Sequence, residues 1–94
     1  MSMDFEEAVY FLMSAKRSEI HSQSHGDISF HWVKDDEEIA HGYSNGTDCT
    51  VSIRSRWGHG QFGEEEAARL MGCGTLLSRQ MELGKNLGTI EMVS

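Results

Sequence analysis

Asn45-Gly46 lies between two runs that read as β-strands. An Asn-Gly pair readily takes the positive φ angles of a two-residue type I′ turn, so the first constraint on this chain is that it holds an antiparallel hairpin. The strand after the turn, Asp48 to Ser55, places Cys49, Val51 and Ile53 inward and Thr50, Ser52 and Arg54 outward, the period-two pattern of a half-buried strand. The strand before it, Glu38 to Ser44, has Ile39, His41 and Tyr43 on one face and Ala40 and Gly42 on the other, which leaves its buried side ambiguous. Upstream, Ile28, Phe30 and Trp32 alternate with Ser29, His31 and Val33, and the charged run Lys34-Asp35-Asp36-Glu37 turns that strand into the next.

Helical spacing brackets this meander. Phe5, Ala8, Val9 and Leu12 recur at three- and four-residue steps, predicting a helix from 3 to about 17 with Ser2 or Asp4 as its cap, acids at its start and Lys16 and Arg17 at its end. Ser18 to Gly26 reads as a fraying end and loop, and the glycine-rich Trp57 to Gly63 as a second loop. A second helix is expected from about Glu64 to Leu83, with Ala67, Leu70, Met71, Leu77 and Met81 along its apolar stripe and Gly72 and Gly74 accommodated by close packing. Gly84 supplies a stop, and residues 89–93 alternate weakly as an additional edge strand. The expected fold is therefore α+β: two layers, in the order helix, three-stranded antiparallel meander, helix, with a short C-terminal edge strand. Ninety-four residues make one domain, 1–94, with no room for a second core.

The formal charge is −7, from 15 acids against 8 bases, which disfavours direct nucleic-acid binding. The acidic N-terminus lacks the basic region of a signal peptide, and its apolar residues are too interrupted for a membrane span, so a cytoplasmic protein is expected. In that compartment Cys49 and Cys73 stay reduced, and the Asn45-Gly46-Thr47 sequon carries no sugar.

Reactive groups are present without a reactive pattern. His21 and His25 are spaced by four but sit in a Ser-rich loop with no H-E-x-x-H context. Cys49 or Cys73 could meet His31, His41 or His59 only through the fold, since no close ligand pair marks a zinc site. Cys73 as a nucleophile with His59 or His41 as base competes with the commoner state of a buried, inert cysteine on a core-facing helix. Gly58-His59-Gly60 and Gly72-Cys73-Gly74 match no phosphate-loop pattern. The acidic bunches Asp35 to Glu38 and Glu64 to Glu66 read as solvated charge in a turn and in a helix's first turn. No catalytic residue, metal or cofactor is assigned.

What remains is recognition. Asp35, Asp36, Glu37 and Glu38 form an acidic hairpin tip, and Arg54, Arg56, Trp57 and His59 gather cationic and aromatic groups of the kind enriched in interface hot spots. The expected function is a small acidic, non-enzymatic protein-binding module. An intracellular inhibitor or adaptor of the phage or mobile-element type fits, with the acids mimicking nucleic-acid charge in a basic groove. The competing classes are a small metal-dependent or cysteine-based enzyme and a structural subunit of a homo-oligomer, a homodimer for instance, paired through an edge strand.

Overall fold

A computed structural model describes residues 1–22 and 26–77. In it, α1 (Phe5–Met13) is followed by five strands in meander order, β1 (Lys16–His21), β2 (Ile28–Lys34), β3 (Glu37–Ser44), β4 (Cys49–Ser55) and β5 (Gly58–Gly63), then α2 (Glu64–Leu70) and the two-residue β6 (Thr75–Leu76). All six strands join one sheet in the order β5-β4-β3-β2-β1-β6; neighbours are antiparallel except β6, which is parallel to β1. The expected order of helix, three-stranded antiparallel meander, helix is thus wrong, because the described residues form a six-stranded mixed sheet; α1 and α2 pack against it in one core.

The three central strands follow the sequence pattern. Phe30 and Trp32 of β2 and Val51 and Ile53 of β4 are buried, and together with Ala8 and Leu12 of α1 and Ala67 and Leu70 of α2 they form one core. Each of the larger fully buried side chains contributes about 1.5–3 kcal/mol of apolar transfer energy. The ambiguity in β3 is resolved by a bulge. Trp32 opposes Ala40 while Val33 opposes Glu38, so Ile39 is the extra residue and turns inward beside Ala40. His41 and Tyr43 consequently lie on the opposite face, exposed, and Gly42 points into the core.

Three strands were missed, β1, β5 and the two-residue β6, and the two longer ones lack alternating apolar residues. In β1 the inward positions hold Arg17 and Glu19, yet the Arg17 side chain is only 11% exposed. It donates to the carbonyls of Met71 and Cys73 and pairs with Glu19 at 3.6 Å. The inward arginine of that polar strand is accommodated because Met71 and Cys73, far away in sequence, supply acceptors for its Nη1, although its Nε finds no partner among the described residues. In β5 the glycines at inward positions make room for a neighbour: a Cβ on Gly58 would sit 2.8 Å from the Met3 side chain, and one on Gly60 3.0 Å from the Phe62 ring and 3.2 Å from the Met3 carbonyl. Residues 1–3 run along β5 as a further strip, with Met3 N–H donating to the His59 carbonyl and His59 N–H to the Met1 carbonyl, both at 2.8 Å. Both edges of the meander are thereby covered.

The helices are shorter than expected. Asp4 caps α1 in a capping box with Glu7, but the helix ends at Met13, so Lys16 and Arg17 belong to β1 rather than to its last turn. Helix α2 begins at Glu64 as expected and stops at Leu70. Gly72-Cys73-Gly74 is not a packed stretch of helix; it is a turn delivering β6 to the edge of β1, with Thr75 N–H donating to the Ala15 carbonyl at 2.9 Å. The expected continuation to Leu83, the stop at Gly84 and the edge strand over 89–93 fall outside the described residues.

Turn chemistry is exchanged between the two hairpins. Asn45-Gly46 is not a two-residue type I′ turn: only Gly46 has positive φ, and the loop spans 45–48, with the Asn45 side-chain oxygen accepting from the N–H groups of Thr47 and Asp48 at 2.9 and 2.7 Å. The tight turn is Asp35-Asp36, both at positive φ (53° and 62°) between the paired residues Lys34 and Glu37. Left-handed backbone strains a residue carrying a side chain. The double change Asp35→Asn, Asp36→Gly should therefore stabilise the protein by about 1 kcal/mol, read as a raised urea midpoint. An unchanged or lowered midpoint contradicts the turn assignment.

Candidate recognition surface

The meander sends the β2–β3 and β4–β5 turns to the same end of the sheet, and there the two sets of residues singled out in the sequence meet. Arg56 reaches Glu37 at 3.3 Å and its guanidinium lies 4.6 Å from the centre of the Trp57 ring. Phe11 of α1 also borders Trp57, 6.0 Å away centre to centre, as does Lys34, whose ammonium is 6.0 Å from the ring and donates to the Ser14 hydroxyl at 3.1 Å. Trp57 is thus held on the margin of the core, between an aromatic and two cations, and still 39% exposed.

The acidic tip is partly compensated. Glu37 is paired with Arg56, and Glu38 lies 3.0 Å from His31 Nδ1 on the neighbouring strand. Asp35 and Asp36 remain solvent-facing at the turn. Arg54 and His59 part company with Arg56 and Trp57. They are cross-strand partners on β4 and β5 whose side chains emerge on the face of the sheet away from the helices.

The breadth of that open face was not anticipated, because the expected fold had too few strands. It carries Lys16, Ser18 and Ile20 of β1, Ser29, His31 and Val33 of β2, Glu38, His41 and Tyr43 of β3, Thr50, Ser52 and Arg54 of β4, and His59 and Gln61 of β5. It is electrically uneven. At one end Tyr43 meets acids: hydrogen bonding to Asp27, then desolvation and the charges of Asp27 and Asp48, hold its hydroxyl above the ordinary phenol range. The other end holds Arg54, His41 and His59 around a shallow open depression of about 920 Å³.

The thiol and metal readings gain no support from the geometry. Cys73 follows α2 rather than lying on it, its Sγ faces the Arg69 carbonyl at 3.8 Å, and burial pushes its thiol upward while Arg17 offsets part of the effect. A raised thiol is the weaker nucleophile at neutral pH. Among the described residues no three His, Cys, Asp or Glu side chains converge as metal ligands, and His21, placed in β1 rather than in a loop, pairs with Glu19 at 3.2 Å. His25 lies outside the described residues. Among them, too, no helix is long and apolar enough to cross a membrane. No protein-family model, no curated protein and no solved structure matches this chain.

Proposed function

We propose that the chain is a small, non-enzymatic protein-binding module, an inhibitor or adaptor, that presents the turn end of its sheet to a partner. The observation that carries this reading is the state of Trp57: 39% exposed, yet held by Phe11, Arg56 and Lys34. A large aromatic ordered before binding loses little entropy when a partner covers it, and Trp and Arg dominate interface hot spots. Asp35 and Asp36 beside it steer basic surfaces. A cytoplasmic setting belongs to the same reading, since Cys49 and Cys73 are both free.

Affinity capture from the native host, with the wild-type chain and Trp57→Ala side by side, tests it. A partner bound through this end should be weakened at least about tenfold by Trp57→Ala, as expected for loss of a hot-spot residue. Reversing Asp35 and Asp36 to lysine should slow association and flatten its salt dependence. A partner retained equally by both variants removes the turn end from consideration.

A further inference from the structure

We propose that the open face of the sheet holds a second site, independent of the turn end, that binds a phosphate group between Arg54, His59 and His41. The lining of the depression includes Ser2, His41, Ser52, Arg54, His59 and Gln61, and no carboxylate is among the described residues that line it, in a chain that carries 15 acids. Cross-strand register makes these groups neighbours: Arg54 opposes His59, Ser52 opposes both His41 and Gln61, and Ser2 bridges to His59. Directly opposed positions on one sheet face lie about 5 Å apart and diagonal ones about 7–8 Å, so Arg54 has His59 opposite it and His41 on the diagonal, within reach of a common phosphate group.

Every polar side chain in this set can donate a hydrogen bond, and a group with several acceptor oxygens is what converging donors fit. Gln61 Nε2 donates to the Ser52 hydroxyl at 3.3 Å, which leaves the Ser52 proton available to a ligand. The Arg54 side chain has no ion-pair or hydrogen-bond partner among the described residues, which leaves its fork of donors open to an oxyanion on this face. An adverse charge, Glu38 of β3, borders a neighbouring depression that shares His41, Ser52 and Arg54, but it is engaged with His31 at 3.0 Å. The turn end can fail as a partner surface without affecting this site, because the two use different residues on different sides of the sheet.

Titrating the protein with inorganic phosphate near pH 6.5, at ionic strength held constant with chloride, and following the histidine ring signals by NMR, tests the site. His41 and His59 should shift saturably while His21 at the far end of β1 stays put. Arg54→Gln, at an exposed position that leaves the core intact, should raise the apparent Kd roughly tenfold, and Glu38→Gln should lower it. O-phosphoserine as a second probe separates the sources: tighter binding than inorganic phosphate identifies a phosphorylated side chain as the ligand, and weaker binding the free ion. Shifts that chloride reproduces, that include His21 equally, or that survive Arg54→Gln overturn the proposal.

Discussion

Trp32→Ala should cost about 3–5 kcal/mol of unfolding free energy, enough to leave a domain of ordinary stability marginal or unfolded. Trp32 is fully buried, stacks on Phe30 with ring centres 6.2 Å apart, and donates from its indole nitrogen to the Cys73 carbonyl at 2.9 Å. It therefore joins the helical layer, the centre of the sheet and the turn after α2. Removing it opens a cavity and strips a part-buried carbonyl of its closer donor at once. Trp32→Phe keeps most of the volume and loses the hydrogen bond, so its cost should be nearer 1–2 kcal/mol by the usual worth of such a bond. Urea unfolding followed by far-UV circular dichroism measures both. If alanine costs no more than phenylalanine, Trp32 is not the centre of the core.

Gly74→Ala should cost about 2–4 kcal/mol, from left-handed backbone strain together with overpacking. Gly74 has φ +99°, and a Cβ there would lie 3.0 Å from the Leu12 carbonyl, 3.1 Å from the Ala15 carbonyl and 3.2 Å from the Trp32 ring. Two of these are backbone atoms at the junction of α1 and β1 and cannot swing aside. The expected damage is local as well as global: the amides of Thr75 and Leu77, which donate to Ala15 and Arg17 at 2.9 and 2.8 Å, should lose hydrogen-exchange protection first. Gly72→Ala is the matched control, since a Cβ there meets only the Arg69 carbonyl at 3.6 Å and its φ is not positive. Equal costs at 72 and 74 would mean that the turn does not dock as described.

These two residues also show where reading the chain alone succeeds and where it stops. Trp32 was legible because its strand alternates, and burying one face of an extended chain demands that period. Strand alternation also placed Val51 and Ile53, and helical spacing placed Leu12, Leu70 and the start of α2, while of the two caps offered for α1, Ser2 and Asp4, the structure uses Asp4. The glycines of 72–74 carry no such signal. Whether a glycine marks tight packing within a helix or a turn depends on which backbone approaches it, and that backbone belongs to residues about 60 positions earlier.

The candidate surface divides in the same way. That Asp35 to Glu38 form a charged turn and that Arg54 to His59 combine cations with an aromatic ring follows from residue order. That Arg56 pairs with Glu37 and covers Trp57, while Arg54 and His59 turn to the other side, follows from β4 packing beside β3 in this register.

By itself the sequence determined the central strands β2, β3 and β4, the two helix starts and the identity of most of the core, because local periodicity and capping act over a few residues. Tertiary structure alone decided that Lys16–His21 and Gly58–Gly63 are strands. The first is polar and depends on the carbonyls of Met71 and Cys73 to accept from its inward arginine; the second is glycine-rich and depends on residues 1–3 to fill the space its missing side chains leave. In both strands the stabilising partner is remote in sequence, so no local pattern records it.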